Sequence, residues 1–470
     1  MSGRVDIGDY VERAHDKKDC QLSFIVKTKI WAADSANSWY YNANGNMNNN
    51  NKNNSNTVRA VSEFHQEGLI SLEDVFEAYY DCRKNKRNTA NALLFEVDYE
   101  RNLIQLWRDI NARTYSTSRS ISFIINKPCK REIFAADFRD RIIHHLIAKR
   151  LVPIIEEELI TNTFNNRVGK GCLYGIKQLH ADIAEISENY TADCWVMKID
   201  CKGFFMSLSK DILCDMFDRL IEDKYDGTDK DTIKWLTRVI LQDCPTHHCV
   251  RKSKLHEWEG LDTNKSLFHS GDKFGLPIGN LSSQMAANYY MNEIDHFVAS
   301  VPGVKYGRFV DDAYLVSKDK QLLLSIVPQL RERLAKINVT LHPKKFYIQH
   351  YTKGVAFIGS VIKRERIYIS NRIVHNAFNN IGIANAVPDE ERAAYAEHFI
   401  AQLNSYLGFM RHCNAYAIRR NIARAVDLGW YKYIYFADDF TKVVLKKQHN
   451  RRDRIKRQLR RKHRNGHTVF

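Results

Sequence analysis

Nowhere does the chain offer the roughly 18 uninterrupted apolar residues that a membrane span needs. Its opening residues, MSGRVDIGDYVERAHDKKD, hold no apolar h-region, so no secretory signal is expected. The 10 cysteines lack the dense spacing of a disulfide framework, which points to reduced thiols in a cytosol. No repeat of roughly 20–50 residues is evident, which excludes a solenoid. Acidic side chains are in deficit, 55 against 71 basic ones, leaving a formal net charge of +16. That surplus calls for a polyanionic partner, either nucleic acid or an acidic membrane surface. An apolar fraction of 44% is ordinary for a globular protein and excludes bulk disorder. At roughly 100–200 residues per domain, 470 residues predict about two to four domains or subdomains.

The first sixty residues are unlike the rest. Asn42 to Asn56 read NANGNMNNNNKNNSN, and asparagine favours turns over helix and strand, so no packed element is expected there. From Ser71 the pattern turns helical, with Ser71 as N-cap for SLEDVFEAYYDCRK. ISFII (Ile121 to Ile125) reads as a strand, and the amphipathic pattern starting at Phe138 reads as a helix interrupted near Pro153. CWVMKI is a buried-strand candidate, and residues 242–275, rich in His, Lys and Gly, read as a loop or insertion. A helix is expected from about Ser282 to His296. KYGRFVDDAYLVS reads as two strands around a tight acidic turn, and GVAFIGSVIKRERIYIS as paired strands. The remainder to about Lys442 reads as mostly helical. Then Lys446, Lys447, Arg451, Arg452, Arg454, Lys456, Arg457, Arg460, Arg461, Lys462 and Arg464 crowd together, a one-sign run suited to nucleic-acid contact.

Two acidic sites stand out because apolar strands lead straight into them: Asp200, and the Asp311–Asp312 pair. A carboxylate at the end of a buried strand is costly unless a cation compensates it. Neighbouring strand residues face opposite sides, so a turn is needed to bring Asp311 and Asp312 to one site. Oxygen-only ligands select hard cations such as Mg²⁺. A pair of them can activate a 3′-hydroxyl and stabilise a leaving pyrophosphate.

The ordered set MKIDCKGFF, GLPIGNLSSQ, RFVDD, LHPKK and VAFIGS resembles polymerase motifs A to E of a reverse transcriptase. Upstream, KPCKREIFAADFRDRIIHHLI and NNRVGKGCLYGI resemble its fingers motifs. In motif B the chain carries Ile278-Gly279 and ends on Ser283-Gln284. That form resembles the reverse transcriptases of diversity-generating retroelements, which copy a template-repeat RNA with errors mainly at adenine. NSYLGFMRHCNAYAIRRNI resembles their thumb helix. The nearest alternative family is a retron, group II intron or phage-defence reverse transcriptase. An alternative of another class is a non-catalytic RNA-binding scaffold.

The resemblance implies an α+β right-hand polymerase with an antiparallel palm sheet. The expected division is an Asn-rich, poorly ordered segment at 1–60, fingers at 61–190 and a palm at 191–370 with a fingers-like insertion near 210–275. A helical thumb at 371–441 and a basic tail at 442–470 complete it. Asp200, Asp311 and Asp312 resemble the catalytic carboxylates and metal ligands, with the Cys201 carbonyl as a further ligand for two Mg²⁺ ions, Mn²⁺ substituting. Phe205 resembles the steric gate against a ribose 2′-hydroxyl, with Phe204 as core. Arg131, with Lys130 or Lys127, resembles the fingers cations that grip the triphosphate. Ile278 and Gly279 resemble the floor of the nucleotide pocket, Gln284 closes motif B, and Lys345, beside Lys344, resembles the motif D lysine. Phe357, Ile358 and Gly359 resemble the primer grip.

The implied partners are template RNA, a cDNA primer-template, dNTPs and a small basic accessory oligomer, in a bacterial or phage-encoded cytoplasmic setting without a membrane. Cys244, His247, His248, Cys249 and His256 lack a clean pair of ligand spacings for zinc, so a solvated loop is expected there. Residues 39–61 resemble the variable segment that such retroelements diversify, because asparagine codons are adenine-rich. No RNase H or endonuclease module is recognisable.

Overall fold

Two runs of apolar residues, WVMKID and DAYLVS, pair at the centre of a four-stranded antiparallel sheet in the computed structural model. The structure describes residues 37–41, 47–51, 69–84, 89–126 and 129–446. The sheet runs Lys305–Phe309, Asp312–Ser317, Trp195–Asp200, Tyr347–His350. The two central strands are buried on both faces, so they read as continuous apolar runs rather than as alternation. Helices Cys172–Ile186 and Lys320–Lys336 pack against them. A principal core joins this sheet to the helices Phe138–Glu158, Lys210–Lys224, Lys230–Gln242 and Leu281–Tyr290. A second core, from Ile369 to Val443, gathers the helices Asn371–Asn385, Asp389–Met410 and Tyr416–Ala425 around the fully buried Trp430.

Local signals account for much of this. Ser71 caps Leu72–Arg83, its Oγ accepting from the Asp74 amide at 3.1 Å. The expected break at Pro153 does not occur, and the helix runs unbroken from Phe138 to Glu158. Its inner face buries Ile143, Ile147, Leu151 and Ile155, whereas Pro153 is exposed, where water can satisfy the carbonyl left without an N–H partner. The single helix expected over 282–296 is two, Leu281–Tyr290 and Asn292–Ala299. The helical reading up to 442 also misses a hairpin, Ile434–Ala437 with Lys442–Leu445. Asn404 pins it in both directions, donating to the Val443 carbonyl at 2.8 Å and accepting from the Val443 amide at 2.7 Å.

Within the Asn-rich segment, Asn37–Tyr41 and Met47–Asn51 pair as an antiparallel hairpin, a local element where none is expected from asparagine propensity. The rest of residues 1–60, Lys127, and the basic run beyond Lys446 lie outside the described residues. Among the described residues no helix is long and apolar enough to cross a membrane.

Two buried titratable groups sit one turn apart on the long helix, lining a polar cavity with Thr117, Asn280 and Ser282. Burial pushes the His144 imidazole down to about 3, and its Nδ1 meets Ser282 Oγ at 3.2 Å. Burial pushes the Asp140 carboxyl up to about 6, against donors on Tyr115 and Ser118. The signs oppose. The unfolded chain takes up the His144 proton first, so that stability is lost as pH falls from 6.5 toward about 3. Folded Asp140 holds its proton longer than the unfolded chain, so its contribution is full below 3.8 and lost as pH rises to about 6. His144→Gln keeps a polar partner for Ser282 and removes the imidazole. Thermal midpoints between about pH 7.5 and about pH 4.5 should therefore fall less steeply than in the wild type, and parallel curves would contradict this account.

Candidate active site

The antiparallel register sets Asp200 opposite Asp312, and Asp312 opposite Phe309, leaving Val310 and Asp311 as a two-residue turn. Val310 adopts φ +60°, a conformation that a β-branched residue pays for with roughly 1–3 kcal/mol. Two contacts hold it there. The Val310 amide donates to Asn165 Oδ1 at 2.9 Å, and its carbonyl accepts from Arg308 Nη1 at 2.8 Å. Arg308, with 1% of its side chain exposed, forks onto Asp295 through Nε at 2.7 Å and Nη2 at 2.6 Å. Tyr306 Oη donates to the same carboxylate at 2.7 Å, and Arg308 Nη2 also reaches the Asn288 carbonyl at 3.0 Å. The turn that aims Asp311 thus rests on a satisfied buried polar network.

The three carboxylates occupy different electrostatic settings. Burial, and next the charge of Asp200, push Asp311 up to about 6. Burial also raises Asp312, opposed by Lys198, whose ammonium bonds the Asp312 carboxylate directly. Lys198 itself is lowered by burial, and its ammonium lies 4.6 Å from the Phe357 ring centroid. Lys345 Nζ donates to both oxygens of Asp200, at 3.1 and 2.9 Å, whereas the Lys344 amide turns to His342 Nδ1. Burial pushes the Cys201 thiol far up and keeps it protonated, and the oxygen that residue can offer is its backbone carbonyl.

Arg131 is exposed on the strand Arg131–Ala135, opposite Ile125, and Lys130 Nζ donates to the Glu259 carbonyl at 2.5 Å. Phe205 packs in a small cluster with Phe134, Met206, Leu267, Phe268 and Ile278, while Phe204 is core. The Ile278 carbonyl accepts from the Phe134 amide at 2.9 Å, tying the 276–280 loop to the Arg131–Ala135 strand. Gly279 has φ +125°, and a Cβ there would lie 3.0 Å from Ile133 and 3.1 Å from the Phe134 carbonyl oxygen, so glycine is required. Gln284 sits half-buried in the first turn of Leu281–Tyr290. The Phe357 ring is buried edge-on against Tyr314 at 5.2 Å, while Ala356 is exposed and Ile358 and Gly359 at the turn are half-buried.

The donor set bears on a metal. Asp200 and Asp311 are hard oxygen donors whose mutual charge raises Asp311, which a divalent cation between them would relieve. Asp312 is committed to Lys198. Among the described residues no group of three or more His, Cys, Asp or Glu side chains converges on a common point, at this site or around Cys244 and His248. Asp200 and Asp311 therefore fit a divalent ion in the kind of donor they offer.

A family model described as reverse transcriptase (RNA-dependent DNA polymerase) matches residues 126–362, half of the chain. The chain belongs to the reverse transcriptase family. Every candidate residue from Lys130 to Gly359 lies within the matched part of this reverse transcriptase, and its sheet and helices are those of a right-hand polymerase. No curated protein matches it. Among solved structures, apo telomerase from Candida tropicalis, truncated from its C-terminal domain, matches with 13% identity and a TM-score of 0.39. That match covers 54% of this chain and 55% of the telomerase, so the chain spans little more than half of that structure.

Sequence reading passed over Lys198, Arg308 and Glu132. A signal existed for each: a charge inside an apolar strand run, for Lys198 and Arg308, and for Glu132 a carboxylate on the same strand face as Phe134. Arg308→Met strands the Asp295 carboxylate in the interior and should cost about 3–5 kcal/mol, read as a lower urea midpoint. Arg308→Lys lacks the planar fork and should recover only part of that loss.

Proposed function

We propose that this reverse transcriptase extends a primer 3′-hydroxyl along an RNA template with dNTPs, and that Asp200 and Asp311 are its catalytic carboxylates. The observation that carries this is their convergence across 111 residues of chain, at the strand end and turn where burial and the charge of Asp200 raise Asp311. Divalent ions held by Asp200 and Asp311, with the Cys201 carbonyl, would activate the 3′-hydroxyl and neutralise charge at the triphosphate. Mg²⁺ suits that oxygen set, with Mn²⁺ as a substitute.

The side chains divide the remaining work. Arg131, with Lys130 beside it, grips the triphosphate. Phe205 stands against the ribose 2′-position, and Ile278 with Gly279 forms the floor under the incoming base and sugar. Lys345, already on Asp200, is placed to hold a proton for the leaving pyrophosphate. Asp312 acts by fixing Lys198 beneath the site. The turn at Ile358 and Gly359 bears on the primer. The residues before about 190 serve as fingers, and those from about 371 to 441 as thumb.

The subtype we favour is that of diversity-generating retroelements, on the strength of Ile278-Gly279 and Ser283-Gln284 in motif B. An aliphatic residue where a hydrogen-bonding glutamine is usual leaves selection to shape, and a hydrophobic wall discriminates weakly. A near-copy of the Asn-rich coding segment, differing mainly at adenines, at the end of a nearby gene would support this reading. A small basic accessory oligomer and a cytoplasmic site of action belong to the same proposal.

Primer extension on an adenine-containing RNA template, with products sequenced, tests both levels. Asp311→Ala should abolish extension, and undiminished synthesis would remove the catalytic assignment. Ile278→Gln should lower misincorporation opposite adenine while retaining synthesis. An unchanged error spectrum would leave the polymerase and remove the subtype.

A further inference from the structure

The segment 242–275, expected as a loop or insertion, is bound against the cluster that holds Phe205 and Ile278. Glu132, 1% exposed, receives three hydrogen bonds from it: Trp258 Nε1 at 2.6 Å, Ser266 Oγ at 2.8 Å and the Leu267 amide at 2.6 Å. A buried carboxylate with three donors is a strong latch, because each donor lost leaves a buried acceptor less well satisfied. The latch presses Leu267 and Phe268 into the cluster that holds Phe205 and Ile278. The Phe268 ring lies 5.3 Å from that of Phe134, and the Arg251 guanidinium covers it at 4.3 Å. On the opposite side the same segment meets the turn that carries Phe205. Gly203 has φ +57°, and a Cβ there would lie 2.7 Å from the Asn264 carbonyl oxygen. The loop then closes along the chain after Phe205: the Leu276 amide donates to the Phe205 carbonyl at 2.8 Å, and the Gly275 amide to the Leu208 carbonyl at 2.9 Å.

We infer that this segment is a buttress for the nucleotide pocket, in which Leu267 and Phe268, latched by Glu132, are positioning residues that stiffen the Phe205–Ile278 wall and so set sugar selectivity. A packed interior does not yield continuously, so a wall backed by close-packed side chains excludes a 2′-hydroxyl that an unbacked aromatic ring could swing aside to admit. The inference rests on the proposed role of Phe205 as the steric gate, and the experiment separates the two.

Single-nucleotide incorporation on an RNA template would be measured with dNTP and with rNTP, for wild type, Phe205→Val, Leu267→Ala, Phe268→Ala and Leu267→Met, with thermal midpoints recorded alongside. Phe205→Val should collapse the dNTP-over-rNTP ratio of kcat/KM. Leu267→Ala and Phe268→Ala should each lower that ratio about tenfold, the scale of a methylene-sized change in an apolar pocket. The change should lie in KM for the rNTP, with dNTP incorporation nearly kept, and Leu267→Met should restore the ratio. Should either alanine variant fold poorly, Ser266→Ala and Trp258→Phe each remove one donor to Glu132 with little lost volume, and should shift the ratio in the same direction. A wild-type ratio in these folded variants, with Phe205→Val collapsed, overturns the buttress and leaves the gate standing. An unchanged ratio in Phe205→Val overturns the gate, and the buttress with it.

Discussion

Behind the acidic turn, a guanidinium with almost no exposure faces a carboxylate with none, and the backbone of Val310 hangs from that pair. Taking both charges out of water is expensive, and the fork geometry with the added bonds from Tyr306 and to Asn288 is what offsets it. A hydrophobic filling of the same volume could be as stable. It could not hold a valine in the left-handed region, since that needs a donor aimed at a particular carbonyl. Asp311 can approach Asp200 because that constraint is met first.

The charges around the three aspartates are distributed unevenly. Lys345 is largely exposed and can leave Asp200 when a better cation or a phosphate arrives. Lys198 is buried beneath the sheet between Asp312 and the Phe357 ring, where moving it would leave a charge unmatched. Two neighbouring aspartates in one dipeptide therefore differ in kind: Asp312 is matched by a buried ammonium, whereas Asp311 lies beside the charge of Asp200.

Much of this was legible in the residues. Strands such as WVMKID announced themselves by continuous burial, the acidic turn by its flanking strands, and the family by five motifs in order. Local reading failed where distant chain decides the outcome. Pro153 breaks helices by propensity, but four buried aliphatic residues on the other face outweigh it. Residues 242–275 read only as a loop or insertion because much of their order comes from Glu132, more than a hundred positions earlier. The hairpin Ile434–Ala437 with Lys442–Leu445 depends likewise on Asn404, which composition alone gives no reason to single out.

The sheet that contains Arg131–Ala135 has three strands, not two. Val250 and Arg251 lie parallel to Ile121 and Ser122, with the Val250 amide on the Ser120 carbonyl and the Lys252 amide on the Ser122 carbonyl, both at 2.8 Å. The hairpin Ile121–Ile125 with Arg131–Ala135 is therefore not a free flap. Any swing it makes as substrate enters or product leaves must carry the 250s along or break these ladder bonds. The strand Val250–Arg251 thus ties two stretches of chain more than a hundred residues apart into a single sheet.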